Sequence, residues 1–260
     1  MKALPKFTHP SIHTLYTEDL QIEESTLRAI LALPRESLIR DLHAVVYDSI
    51  ERFDYYLAEA RNEEKPYENV IHALSILAEI KSEESGKVLL DVLRQSEEYL
   101  RFWFGNFMPE GMWEFIYQFY FGKFDELESF MREKNIFMFS HSEVSVAVLQ
   151  MALHNPSMKA SAVEWYKNIF RYLIECDDRG QGTNPDLCDL LVADAIDLHD
   201  QSVESLIDEI YRREMVDPRF NGTMEEVREL LAEEEQGHEK REMAGDIFER
   251  YEGVMGIGDE

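Results

Sequence analysis

Cysteine is scarce: among 260 residues only Cys176 and Cys188 carry thiols, too few for a disulfide framework. Basic residues are scarce too, 26 Lys and Arg against 53 Asp and Glu, for a net charge of −27. Affinity for nucleic acid rests on cationic side chains that displace counterions, so this balance excludes a surface built to hold phosphates. It equally excludes a polybasic hold on anionic lipid. Long apolar runs are missing. The most apolar stretch, Trp103 to Phe121, is broken by Gly105, Asn106, Pro109, Glu110, Gly111, Glu114 and Gln118, well short of the ~18 uninterrupted residues that mark a membrane span. The start, MKALPKFTHP, lacks the apolar region of a secretory signal. The expectation is a cytoplasmic chain with no nucleic-acid or membrane partner.

Alternating polar and apolar runs of strand length are also absent, whereas helical spacing is abundant. Leu38, Leu42, Val45, Val46, Ile50 and Phe53 mark one face after Pro34, and Val70, Ile71, Leu74, Leu77 and Ala78 mark another after Pro66. Pro66, Pro109, Pro156 and Pro185 each open a helical pattern, where a missing N–H costs little because first-turn donors have no internal partner. Further helices are predicted near 84–95, 97–104, 110–121, 124–132, 142–154, 157–175, 186–198, 203–214 and 223–235. The fold class is all-α. The triplets Ala73/Leu77/Ala78, Phe115/Phe119/Tyr120 and Ala147/Met151/Ala152 share one internal spacing, and their middle members lie 42 and then 32 residues apart. A period near about 40 suggests HEAT-like helix pairs, each burying its apolar face on the next to form an α-α superhelix with a groove. An irregular helical bundle is the alternative.

The run HALSILAEIKSEESGKVLLDVLRQSEEYLRFWFGNFMPEGMWEFIYQF, followed by NPDLCDLLVADAIDLHDQSVESLIDEIYRREMVD, resembles the bacterial domain-of-unknown-function family 1186. The likeness lies in the helix pair around His72-Ala73-Leu74, the Phe-Gly-Asn segment before a short amphipathic helix, and the late helix leading to Tyr211, over roughly residues 35 to 230. It implies a HEAT-like fold and carries no known activity. Some relatives have a cysteine-rich zinc-binding tail; here nothing after Cys188 supplies a thiolate, so that function does not transfer.

The expected organisation is an extension over 1–22, one helical-repeat domain over 23–232, and an acidic, flexible tail over 233–260. The tail holds ten acids, three bases and five glycines, a composition that resists collapse. Within it Ile247, Phe248, Tyr251 and Val254 recur at helical spacing, which also allows a segment that folds onto a partner or back onto the repeats.

Motifs for chemistry are few. Cys176, Cys188 and His199 would need Asp177, Asp178 or Asp200 to complete a tetrahedral zinc set. The loop DDRGQGTNPD, 177–186, fails the calcium signature because Arg179 and Cys188 occupy ligand positions. Glu-x-x-His is not repeated on two helices, no Gly-x-Ser-x-Gly elbow occurs, and Ser140, His141 and Ser142 stand together without an orienting partner. Glu68 and His72, four apart, allow a hydrogen bond on one helix face. Asp194 and Asp197 read as a solvated pair. No catalytic residue, metal or cofactor is assigned.

The strongest non-random feature is aromatic: twelve of thirty aromatic residues fall between Tyr99 and Phe124. They read either as the core of a middle repeat or as a groove in which Trp103, Phe104, Trp113, Tyr117 and Tyr120, with Glu110 and Glu114, bind a basic or amphipathic peptide through ring area, cation–π attraction and carboxylate steering. The expected function is a non-enzymatic helical-repeat adaptor or scaffold that binds another protein. The alternative is a hydrolase-type enzyme using groove carboxylates, with or without a divalent metal.

Overall fold

Proline and capping side chains punctuate the chain much as their chemistry dictates. The computed structural model describes residues 4–63, 67–105, 107–233 and 240–257, and among them helices and turns occur but no strand. A 3-10 helix over Pro10–Tyr16 comes first. It is followed by α1 (Glu24–Leu31), α2 (Arg35–Glu51), α3 (Phe53–Glu63), α4 (Asn69–Glu79), α5 (Gly86–Leu93), α6 (Glu97–Phe104) and α7 (Phe107–Tyr120). Then come α8 (Phe124–Met131), α9 (Met138–His154), α10 (Lys159–Asp178), α11 (Pro185–Ile196), α12 (Glu204–Arg212), α13 (Pro218–Asn221), α14 (Met224–Ala232) and α15 (Ile247–Ile257).

Side-chain oxygens satisfy several first-turn donors. Ser96 accepts from the Tyr99 N–H at the start of α6, Asn184 from Leu187 at the start of α11, and Thr223 with Glu226 forms a reciprocal capping box on α14. Gly105 ends α6 at φ 46°, a left-handed conformation that a side chain would strain. One predicted face divides: Phe53 opens α3, because the chain leaves helical geometry at Arg52 (φ −117°, ψ 21°). Pro66 lies outside the described residues.

The chain divides into two units. Unit 1 comprises residues 1–119 and 243–260, and unit 2 residues 120–242. In unit 1, α2 packs on α3, α4 and α5, and α4 also meets α6, α15 and the first 3-10 helix. In unit 2, α10 packs on α8, α9, α11 and α12, α9 on α11, and α14 on α11 and α12. All three apolar triplets are buried, so the spacing that suggested repeats does mark packing faces. Among the described residues no helix is long and apolar enough to cross a membrane.

Described residues near both ends of the chain pack within unit 1. Ile12 and Leu15 are fully buried, and Asp41 on α2 accepts hydrogen bonds from the backbone N–H groups of Thr8 and His9. Residues 8–15 therefore pack within unit 1. At the other end, residues 243–251 dock on unit 1. Ile247 is fully buried, Tyr251 nearly so, and the Arg250 guanidinium pairs with Glu114 at 3.2 Å. Paired charge and an apolar stripe thus outweigh the acidic composition of this stretch, the fold-back option its helical spacing allowed.

Candidate functional site

The aromatic segment folds inward. Trp103, Phe104, Trp113 and Tyr120 are buried, Tyr117 is half-buried, and the side chain of Glu110 lies outside the described residues. Trp103 meets Tyr56 edge-on at 5.1 Å and Phe102 at 5.0 Å, a ring cluster shared by α3 and α6. Glu114, expected to steer a partner, faces Arg250 and accepts the Ala244 N–H at 3.0 Å. Large rings gain most by leaving water, so the buried rings of α6 and α7 build core, and the Glu114 carboxylate beside them seats residues 243–251.

The buried polar groups of unit 1 form two networks. Asp48 on α2 pairs with the Arg52 guanidinium at 2.9 Å and accepts the hydroxyls of Tyr16 and Tyr56. Burial still pushes its carboxyl above the usual range. His72, predicted to reach Glu68, instead meets Tyr251: the tyrosine hydroxyl donates to Nδ1, and Nε2 lies 3.4 Å from the Glu18 carbonyl. Burial pushes the His72 pKa down to about 4, so the ring is neutral.

Two cavities of unit 2 bear on function. The larger, about 480 Å³, is a cleft between the start of α8 and one face of α10, lined by Asp125, Glu126, Glu128 and Glu164, with Lys123 and Trp165. Asp125 and Glu126 are exposed in the first turn of α8, where the positive end of the helix favours carboxylates. Glu128 accepts from Asn168 at 3.0 Å and Arg132 at 2.6 Å, and Glu164 pairs with Lys167 at 2.9 Å. Trp165 is 1% exposed and its indole N–H has no acceptor. Sequence reasoning missed this cleft because its carboxylates come from two helices about 40 residues apart, each unremarkable in a chain with 53 acids.

The smaller cavity, about 310 Å³, includes His141, Tyr172 and Cys176 in its wall. His141 is thereby oriented by something the sequence did not reveal, the Phe130 carbonyl 3.3 Å from its Nε2. The proposed zinc set is dispersed. Asp177 and Asp178 pair with Arg213 at 2.9 and 2.7 Å, Asp200 caps Ser202, His199 Nδ1 lies 3.1 Å from the Leu230 carbonyl, and Cys188 is buried, its thiol pushed up to about 12. Among the described residues no three His, Cys, Asp or Glu side chains converge as a metal site.

Asp194 differs from the solvated carboxylate expected. It is half-buried, accepts the Ser145 hydroxyl, and lines neither cavity. Desolvation is the main cause, and Asp197 a lesser one, of a pKa pushed up to about 7. Tyr166 completes this cluster by donating to the Ser145 carbonyl at 2.8 Å.

No curated protein and no solved structure matches the chain. The family of proteins of unknown function DUF1186 matches residues 14–248, and the chain belongs to that family.

Proposed function

We propose that this protein is a non-enzymatic adaptor built of HEAT-like helix pairs, and that it holds a basic segment of another protein in the acidic cleft of unit 2. The observation that carries the reading is the cleft itself, where four carboxylates from α8 and α10 converge beside one lysine. Asp125 and Glu126 make no side-chain hydrogen bond or ion pair among the described residues, which leaves them to a partner. The net charge of −27 supports the same polarity by drawing cations and repelling nucleic acid. Phe121, 38% exposed just before the cleft residues, adds apolar area for the aliphatic stem of a bound lysine or arginine.

Fluorescence anisotropy with labelled peptides tests this. A Lys/Arg-rich peptide should bind, a Glu-rich peptide of equal length should not, and added salt should weaken the complex. The triple variant Asp125→Asn, Glu126→Gln, Glu164→Gln should lose affinity by about tenfold or more, since rim charges act mainly on encounter and several act together. Equal binding by the triple variant would place the basic segment elsewhere.

A further inference from the structure

The smaller cavity of unit 2 combines apolar side chains in its wall with a hydrogen-bond acceptor, on a buried histidine, that no described residue uses. Met131, Met138, Leu173 and Leu187 supply the apolar wall, with the Tyr172 ring and Cys176 beside them. Opposite chemistry enters through His141, whose side chain is 7% exposed. A carbonyl oxygen can only accept, so the proton of the neutral ring sits on Nε2, facing Phe130 O. The lone pair is then on Nδ1. That nitrogen makes no hydrogen bond among the described residues, and burial lowers the basicity of the ring, which keeps it an acceptor. A hydroxyl donor entering the cavity has this lone pair to bond to.

We infer that this cavity binds a small hydroxy-aromatic molecule, its ring packed against the methionine and leucine side chains and its hydroxyl donating to His141 Nδ1. Thioethers are polarisable and adapt to ring edges, so two methionines in one small wall favour an aromatic ring over a sugar or an amino acid. Size points the same way. A volume of about 310 Å³ stands at the low end of ligand cavities, roughly 300–1,000 Å³, and suits one or two rings rather than a peptide. The site is separate from the acidic cleft, and its wall carries one acid and one base, Glu133 and Lys134, where the cleft carries four carboxylates.

Phenol and toluene are the probes, because they share a ring and differ in the donor. Ligand-observed NMR titrations of the full chain should show phenol binding about fivefold or more tightly than toluene, the equivalent of one net hydrogen bond. In His141→Phe that preference should vanish while toluene binding persists, and Leu173→Trp should abolish both by filling the cavity. Thermal melts establish that each variant is folded. If His141→Phe does not fold, the imidazole nitrogen shifts of the wild-type chain decide: phenol should move the His141 Nδ1 resonance and toluene should leave it. Equal affinity for the two probes, no binding of phenol, a preference that survives His141→Phe, or an unmoved Nδ1 resonance would each overturn the inference.

Discussion

In unit 1 the buried Glu114 carboxylate is met by a guanidinium, Arg250, 136 residues away in sequence. In unit 2 the Asp194 carboxyl has a neutral hydroxyl from Ser145 as its close partner, and Arg241 is only a weak influence. Full charge pairing ties a distant segment down, and leaves a large penalty if either ion is removed. A neutral partner leaves the carboxyl titratable near neutral pH. Unit 1 spends its polar groups on closing its own structure, whereas unit 2 turns carboxylates and an imidazole toward cavities. That contrast is why the functional proposals fall in unit 2.

The largest effects should come from breaking unit 1. Ending the chain at Glu233 strands Glu114, uncovers the surface under Ile247 and removes the hydroxyl bonded to His72. Its melting temperature should fall by more than about 10 °C, measured by circular dichroism. Glu114→Ala alone leaves Arg250 buried without a counterion and should cost about 3–5 kcal/mol in urea denaturation. A cost below about 1 kcal/mol would mean that residues 243–251 contribute little.

Apolar truncations should affect both units alike. Leu77→Ala in unit 1 and Met151→Ala in unit 2, both fully buried, should each cost roughly 2–5 kcal/mol by lost transfer energy and cavity formation. A large asymmetry between them would show that one unit unfolds first and that its midpoint alone is being read.

Smaller effects separate the units by pH, with opposite sign. Asp194 binds its proton more tightly folded than unfolded, so the stability it contributes is full below about pH 4 and is lost as pH rises through about 7. His72 is depressed, so its contribution is present above about pH 6.5 and is lost as pH falls through about 4. In melting temperature against pH, Asp194→Asn should flatten the neutral limb and His72→Gln the acid limb. The reverse assignment would contradict the burial described for each. Smallest of all, Glu79→Ala, on the half-exposed end of α4, should stay within about 0.5 kcal/mol of wild type.

Much of the fold was legible because it is written in local chemistry. Ser96, Asn184 and the Thr223/Glu226 box mark helix starts, and Pro156 and Pro185 stand at first-turn positions. The triplet around Leu77 predicts a buried face, and Leu77 is fully buried. The pairing of Glu114 with Arg250 could not be read in the same way, because nothing local distinguishes one acid among 53. The aromatic segment left core and groove both open for a related reason: composition reports how many rings there are, and only packing reports which way they face. The cleft of Asp125, Glu126, Glu128 and Glu164 and the orientation of His141 by Phe130 depend on α8, α9 and α10 meeting in space, so the candidate site was far less legible than the helices that build it.

The most direct test of the basic-segment proposal is amide hydrogen exchange on the full chain, with and without a saturating Lys/Arg-rich peptide. The account predicts added protection confined to 122–128 and 161–168, the residues that line the acidic cleft, with the rest of unit 2 and all of unit 1 unchanged. Protection over 99–121 instead, with the cleft unaffected, would contradict it and return the partner surface to the aromatic segment.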